Sequence, residues 1–102
     1  MTITHTAEVN RIRLAVSERG GLVVPYTVGS FRAMDNDRIV KVGVPGVSDL
    51  IACIDGRFWG IEVKVGRDRQ RPEQQRFQAA VERAGGRYVM GDLGEVLRCL
   101  QS

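Results

Sequence analysis

Three residues that could do chemistry together lie on two neighbouring predicted strands: Asp49, Glu62 and Lys64. The strands cover residues 48–54 and 57–65, which are rich in the aliphatic and aromatic side chains that favour sheets. In a hairpin with a two-residue turn, Asp49 lies directly opposite Glu62, and Lys64 lies two residues further along the same face. Two opposed carboxylates repel each other, and a divalent cation bound between them would remove that repulsion.

The register depends on the dipeptide Asp55-Gly56 between the two strands. Asp-Gly is among the strongest short-range signals for a tight hairpin turn. A turn at these residues places Ile54 opposite Arg57 and fixes every later pair. A slip of one residue would send the two carboxylates to opposite faces of the sheet, so the proposed chemistry depends on this turn.

The donor types around this pair suit a hard divalent cation. Mg²⁺ prefers oxygen ligands and keeps several waters, so Asp49 and Glu62 would supply carboxylates and the backbone carbonyl of Val63 a further oxygen. Glu8, near the start of the first predicted helix, is a further candidate ligand. Lys64 could orient or help deprotonate a water that attacks phosphorus, or stabilise charge in the transition state. These residues predict Mg²⁺-dependent chemistry on phosphate.

A structural ion pair is the alternative explanation for the same residues. In that arrangement Lys64 neutralises one carboxylate and the other reaches solvent. A Glu-Val-Lys triplet alone arises often by chance, but the hairpin register adds an opposed Asp49 on an otherwise apolar face. We favour the metal site because buried charges are seldom kept without a metal or a partner.

Further polar residues are expected around the carboxylates. Gln74 shares a helix face with Phe77 and Val81, so its amide could hold a water or a phosphate oxygen, and a bond to a loop carbonyl explains it equally well. Gly43 and Gly46 allow close backbone approach to a phosphate, but a plain turn explains them too. Phosphate contacts or mere solvation could account for the nearby basic residues Arg67, Arg69, Arg71, Arg32, Arg38 and Lys41.

The elements that position these residues follow from periodicity and turn signals. We predict helices over residues 6–19 and 72–84 and from Asp92 to Leu100, and strands over residues 22–26, 38–42, 48–54, 57–65 and 87–90. Residues 28–37 are irregular and polar and could be a hairpin tip. The central hairpin is apolar on both faces, which requires helices to cover it. Phe58 and Trp59 are both expected in the core.

Composition limits the function classes. The chain has 102 residues, which fits one domain over residues 1–102, and its 15 basic and 12 acidic residues give a net charge of +3 that permits a polyanion partner. No apolar run could span a bilayer and the polar start is no signal peptide, so we expect a cytoplasmic protein with no membrane contact. Cys53 and Cys99 are expected to be buried reduced thiols. With His5 as the single histidine, a zinc site or a Ser-His-Asp hydrolase is not expected.

A family resemblance rests on four motifs in order: GVPGVSD at residues 43–49, GIEVK at residues 60–64, PEQ at residues 72–74 and AGG at residues 84–86. Over about residues 8–90 the chain closely resembles the VRR-NUC domain of the PD-(D/E)XK nuclease superfamily. The resemblance implies an α/β fold with a restriction-endonuclease-like core. Its mixed sheet combines an antiparallel meander with a crossover strand between flanking helices, in the order α-β-β-β-α-β-α. One departure is Arg71, where the family often has a Ser or Thr helix cap.

The resemblance also implies an activity, namely phosphodiester hydrolysis dependent on Mg²⁺ or Mn²⁺ and on no organic cofactor. It gives metal-ligand roles to Asp49 and Glu62, the catalytic lysine role to Lys64, and supporting roles to Glu8 and Gln74. Standing alone, the domain resembles small dimeric bacterial and phage enzymes of the Holliday-junction resolvase type. We therefore expect a homodimeric endonuclease acting on branched DNA in a bacterial or phage-infected cell. A flap-type nuclease, a non-catalytic nucleic-acid-binding module and a purely structural domain stay open.

Overall fold

The computed structural model of the chain describes residues 3–25, 29–32, 35, 39–42, 46–67 and 69–101. Its elements are α1 (His5–Glu18), β1 (Leu22–Pro25), β2 (Gly29–Arg32), β3 (Ile39–Val42), β4 (Leu50–Ile54), β5 (Arg57–Val63), α2 (Pro72–Arg83), β6 (Arg87–Gly91) and α3 (Leu93–Gln101). Strands β1, β4, β5 and β6 lie in that order in one sheet, antiparallel except for the parallel pair β5–β6. Among the described helices, none has the length and apolar character needed to cross a membrane.

The predicted α/β fold is confirmed, and the helices together with the strands of this mixed sheet follow the predicted order α-β-β-β-α-β-α. Strands β2 and β3 instead pair with each other as a separate antiparallel ribbon. The expectation that residues 28–37 are irregular is therefore wrong for residues 29–32, because pairing with β3 supplies the backbone hydrogen bonds that their composition does not favour. Predictions for residues 26–28, 33–34, 36–38 and 43–45 lie outside the described residues.

The central hairpin has the predicted register. Asp55 and Gly56 both have positive φ angles, 52° and 76°, as a tight type I′ turn requires. The ladder begins with Ile54 opposite Arg57 and ends with the pair Leu50 and Ile61. Continued by one step, it places the residues before β4 and at the end of β5 beside each other, which is where the two carboxylates lie.

The inner face of the sheet carries the core. Alternate residues of the hairpin, among them Leu50 and Ile61, are buried against α1 and α3. Ile12 and Val16 of α1 and Val96 of α3 are fully buried there. The apolar stripe predicted for the first helix is thus the surface that fixes α1, and its N-terminal turn, relative to the sheet.

The structure confirms that Trp59 belongs to the core. Its side chain is 4% exposed, and the Arg87 guanidinium lies 4.7 Å from the ring centroid, within the range of a cation–π contact. The start of α3 also follows prediction in part, because Asp92 Oδ1 accepts a hydrogen bond from the Glu95 N–H. Glu95 itself does not return a bond to the cap and pairs with Arg98 instead.

The outer face of the sheet is only partly covered. Helix α2 packs on β5 and β6, where Phe77 meets Tyr88 edge to face with ring centroids 6.3 Å apart. Phe58 is 45% exposed and Cys53 is exposed as well, so their assignment to the core is wrong. The reason is that α2 lies over the β5–β6 side and leaves the β1–β4 side open. Cys99 is half-buried.

Gly46 brings the loop before β4 against the first turn of α2. Its φ is +80°, and a Cβ at this position would lie 2.1 Å from the backbone oxygen of Glu73. The close approach that this glycine permits is therefore to a helix, which gives it a packing role. It holds the segment leading to Asp49 next to α2.

We expect Gly46→Ala to destabilise the protein by several kcal/mol. A left-handed φ costs an alanine about 1–2 kcal/mol, and forcing an atom into a packed contact adds about 1–3 kcal/mol. Gly20→Ala is the matched control, because Gly20 has a φ of +82° but nothing within 4 Å of the added Cβ. Urea unfolding of both variants measures the difference, and equal midpoints would show that the contact with α2 does not constrain this loop.

Candidate active site

A cavity of about 410 Å³ contains the three residues Asp49, Glu62 and Lys64. It lies at the end of the hairpin remote from the Asp55-Gly56 turn. The other residues that line it are His5, Val63, Arg69, Arg71, Gln74 and Met90. Most of the predicted site residues are thus brought together at one end of the sheet.

Asp49 is held in place by the backbone of β5. Its Oδ2 accepts a hydrogen bond of 2.9 Å from the N–H of Val63, which lies two residues beyond Ile61 and the last backbone pair of the ladder. The carboxylate therefore takes the place of the carbonyl that a longer β4 would have provided. The side chain stays 29% exposed, so it is fixed by the sheet and still open to the cavity.

Glu62 is the buried member of the pair. Its side chain carries an oxygen, Oε2, that is buried and has no hydrogen-bond partner. Burial, and next the negative charge of Asp49, raise the pKa of Glu62 from 4.5 to about 8, although the positive charge of Arg71 opposes the shift. Without a cation, this carboxyl is mostly protonated at neutral pH.

Lys64 does not neutralise either carboxylate. Its backbone N–H donates to the Gly91 carbonyl at 2.9 Å, which extends the β5–β6 pairing by one residue. No ion pair within 4.0 Å joins its ammonium to Asp49 or Glu62, all three of which the structure describes. The alternative of a structural ion pair required that bond, so Lys64 does not relieve the repulsion between the carboxylates.

Glu8 has a different position from the one its predicted role requires. It is 4% exposed, with Oε2 accepting from the Leu93 N–H and Oε1 from Arg11 Nη1, both at 2.8 Å. The Leu93 N–H lies at the start of α3 and has no acceptor within the helix, so a carboxylate that binds it is stabilising. Glu8 lines a neighbouring cavity that it shares with Lys64, so the structure does not bring it to the carboxylate pair. Its role as a metal ligand stays a prediction.

His5 is the site residue that sequence reasoning missed. Its Nε2 lies 3.2 Å from Asp49 Oδ2 and 3.1 Å from the Val63 carbonyl oxygen. The signal was present in the sequence, because His5 precedes Glu8 by three residues and so shares its helix face. Thr4 caps this helix by accepting from the Ala7 N–H, and α1 therefore begins at His5.

Gln74 accepts a hydrogen bond at the start of α2. It is 8% exposed, and its Oε1 accepts a hydrogen bond of 2.8 Å from the Arg71 N–H. Arg71 has no side-chain acceptor to offer as an N-cap, and the glutamine supplies a bond from within the first turn instead. The amide oxygen is thus engaged by the helix start, while the residue as a whole lines the cavity as expected.

The predicted DNA-contacting residues divide into groups. Arg69 and Arg71 line the cavity, whereas Arg67 is exposed and does not. Arg71 is 70% exposed, with Nε 3.7 Å from Glu73 Oε1. Arg32 and Lys41 lie on the separate ribbon of β2 and β3, and Arg38 lies outside the described residues.

The oxygens at the site fit a divalent cation that keeps much of its water. No group of three or more His, Cys, Asp and Glu side chains that could hold a metal occurs in the described part of the chain. Mg²⁺, however, needs only one or two carboxylates, with waters, carbonyls or phosphate completing its shell. Asp49, Glu62 and the Val63 carbonyl meet that need, and the unpartnered Glu62 Oε2 is the atom that a cation would satisfy.

Comparison with known proteins gives one structural match. No family model matches the sequence, and no curated protein matches it. A solved structure described as a VRR_NUC domain is similar to the model with a TM-score of 0.66 and 20% sequence identity, over 97% of each chain. The chain therefore has the fold of a VRR-NUC domain, as the motifs indicated.

The raised pKa of Glu62 predicts that the metal-free protein loses stability as the pH rises. Between 4.5 and about 8 the folded state holds a proton that the unfolded state has released, so unfolding becomes easier through this window and levels off above it. Glu62→Gln removes the titrating group. With a chelator present, we expect the variant to gain stability over the wild type from about pH 5 to about pH 8.5.

Thermal unfolding at several pH values measures this effect. Glu82→Gln is the control, since Glu82 is an exposed glutamate on α2. A difference between Glu62→Gln and wild type that does not change with pH would contradict the prediction.

Proposed function

We propose that the protein is a divalent-metal-dependent, structure-specific DNA endonuclease that hydrolyses phosphodiester bonds in branched DNA such as Holliday junctions. The observation that carries the proposal is the pair of neighbouring carboxylates, Asp49 and Glu62, in a cavity that also contains Lys64, where a buried Glu62 oxygen has no hydrogen-bond partner among the described residues. A cavity that holds an acid with a raised pKa and a lysine ammonium paired with neither nearby carboxylate is typical of a catalytic centre. The VRR-NUC fold supports the same reaction class.

The carboxylates and one carbonyl would hold the metal. Asp49, Glu62 and the Val63 carbonyl form the oxygen set for Mg²⁺, which Mn²⁺ could replace. The bound ion supplies polarisation of the phosphate and a lowered pKa for a water. Glu62 must give up its proton to take part, so its raised pKa makes the oxygen set sensitive to pH near neutrality.

Lys64 is assigned to the phosphate and the attacking water. It follows Glu62 by two residues, one position beyond the end of β5, and it lines the same cavity without pairing with Asp49 or Glu62. An ammonium in this position can orient the water, or stabilise the negative charge that develops on the phosphate oxygens. Because this ammonium has no ion pair with Asp49 or Glu62 to break in the ground state, it can respond to charge in the transition state.

The arginines provide contacts that do not depend on base sequence. Arg69 and Arg71 line the cavity, so they can bind the phosphates beside the one that is cleaved. Arg67 would extend this positive surface along the DNA, and Arg32, Arg38 and Lys41 stay predicted DNA contacts. Such contacts favour recognition of backbone shape, which agrees with a structure-specific enzyme.

A homodimer completes the proposal, because one chain offers one cavity and a junction has two strands to cut. Support comes from the open side of the outer sheet face, where Leu22, Val24 and Phe58 are 67%, 43% and 45% exposed. Together with Ile51, Ala52 and Cys53 they line a shallow apolar groove. Contiguous apolar surface of this kind marks interfaces, and a symmetric pair of chains would bury it.

Loss of the ammonium or of the buried carboxylate should abolish cleavage. We expect Lys64→Ala and Glu62→Gln to lower the rate by about 10²–10⁴-fold, the usual contribution of a positioned acid, base or charge. The assay uses labelled duplex, flap and four-way-junction DNA with Mg²⁺, Mn²⁺ or chelator. Arg57→Ala is the matched control, since it removes one positive charge at the opposite end of β5.

Each outcome of this assay separates the alternatives. Cleavage of the junction above the other substrates supports the proposal, and preference for the flap supports the flap-type nuclease. DNA binding without cleavage under any metal condition would identify a non-catalytic binding module. Wild-type rates in both site variants would show that the residues are misassigned.

A charge on the open sheet face should separate the dimer. We expect Phe58→Glu to yield a monomer in light scattering at concentrations where the wild type is a dimer, because a buried carboxylate without a partner is strongly unfavourable. Leu14→Glu is the control, as Leu14 is 60% exposed on α1, away from the groove. A wild-type monomer, or a dimer that persists in Phe58→Glu, would contradict this interface.

A further inference from the structure

We propose that the imidazole of His5 is a direct ligand of the divalent metal beside Asp49 and the Val63 carbonyl, so that α1 contributes a nitrogen to a centre otherwise built from oxygens. This inference rests on the proposed metal-dependent function and deepens it. It names a residue outside the oxygen set and predicts the metal that the site prefers.

The distances around Nε2 suit a shared ion. His5 Nε2 lies 3.2 Å from Asp49 Oδ2 and 3.1 Å from the Val63 oxygen. Adjacent ligands of an octahedral ion with bonds of about 2.0–2.2 Å are separated by about 3 Å, so the nitrogen stands at ligand spacing from two oxygens of the proposed set.

The donor and acceptor capacities of the same three atoms also favour a shared ion. Both oxygens are acceptors, and one Nε2–H cannot direct its hydrogen well at two acceptors at once. A neutral imidazole with its Nε2 lone pair facing a cation satisfies all three atoms together. The carboxylate of Asp49 also keeps its bond to the Val63 N–H, so it needs no hydrogen from the histidine.

The position of α1 explains why the histidine takes this role. Glu8, on the same helix face, has both carboxylate oxygens engaged by Leu93 and Arg11. His5 lies one turn nearer the sheet end and lines the cavity, which Glu8 does not. Because Ile12 and Val16 fix the helix in the core, the reach of His5 to the cavity is set by the fold.

A nitrogen ligand changes which metals the centre favours. Imidazole suits transition metals, whereas Mg²⁺ prefers oxygen alone. The centre should therefore bind Mn²⁺ more tightly than Mg²⁺, and a variant without the imidazole should lose more affinity for Mn²⁺ than for Mg²⁺. We expect His5→Ala to weaken Mn²⁺ binding by at least about tenfold, comparable to the loss of a group that tunes a metal site.

Pulsed electron paramagnetic resonance of the Mn²⁺-loaded protein tests the contact directly. His5 is the single histidine of the chain, so labelling histidine with ¹⁵N marks one imidazole. We expect a ¹⁴N modulation of directly bound imidazole in unlabelled protein, its replacement by a ¹⁵N coupling in labelled protein, and its loss in His5→Ala. Thr6→Ala, an exposed change in the same first turn, should keep the signal.

Calorimetric titration with Mn²⁺ and Mg²⁺ distinguishes failure of the His5 ligand role from failure of the proposed function. Mn²⁺ binding that Asp49→Asn abolishes, but with no imidazole coupling in the wild type, would overturn the ligand role of His5 and leave the proposed function standing. No binding of either ion by the wild type would overturn both. Circular dichroism confirms that each variant is folded, and the wild-type spectrum decides the question without any variant.

Discussion

The opposition of Asp49 and Glu62 is the constraint on which the candidate site depends. The Asp55-Gly56 turn sets the register from one end of the hairpin, and the buried inner face of the sheet prevents it from slipping. The consequence is a pair of acids that cannot both ionise comfortably, which is why the pKa of Glu62 is raised. A proton relieves the conflict, so the state of this end of the sheet is coupled to pH; on the proposed function, a bound cation would relieve it as well.

The starts of all three described helices meet the strands near this conflict. His5 begins α1 and reaches Asp49, while Gln74 closes the start of α2 and lines the same cavity. Glu8 binds the start of α3 at Leu93. The positive end of a helix attracts acceptors and anions, so the same physics that engages Glu8 and Gln74 also suits a phosphate nearby. Two side chains that resemble catalytic groups in the sequence thus serve first to position helices.

Local rules account for what the sequence predicted well. A two-residue Asp-Gly turn has one preferred geometry, so the pairing of β4 with β5 and the clustering of Asp49, Glu62 and Lys64 could be worked out residue by residue. The start of α2 at Pro72 is similarly local. Local rules do not decide which part of a sheet is covered, because this depends on where α2 packs. For this reason Phe58 and Cys53 were wrongly assigned to the core. The choice between His5 and Glu8 depends on the position of α1 along the sheet, which no pattern within the helix reveals.

The position of the Lys64 side chain favours a functional arrangement over a purely structural one. A domain that needed only stability could pair the ammonium with Glu62 and remove the unpartnered oxygen at little cost, since the two residues share one strand face. Instead the backbone of Lys64 is held by Gly91 while its side chain stays apart from both acids, in the cavity beside them. Such an arrangement would lower the stability of the metal-free protein and become favourable if a cation and an anionic group entered together. On the proposed function, a divalent ion with a phosphodiester would balance the charges of Asp49, Glu62 and Lys64.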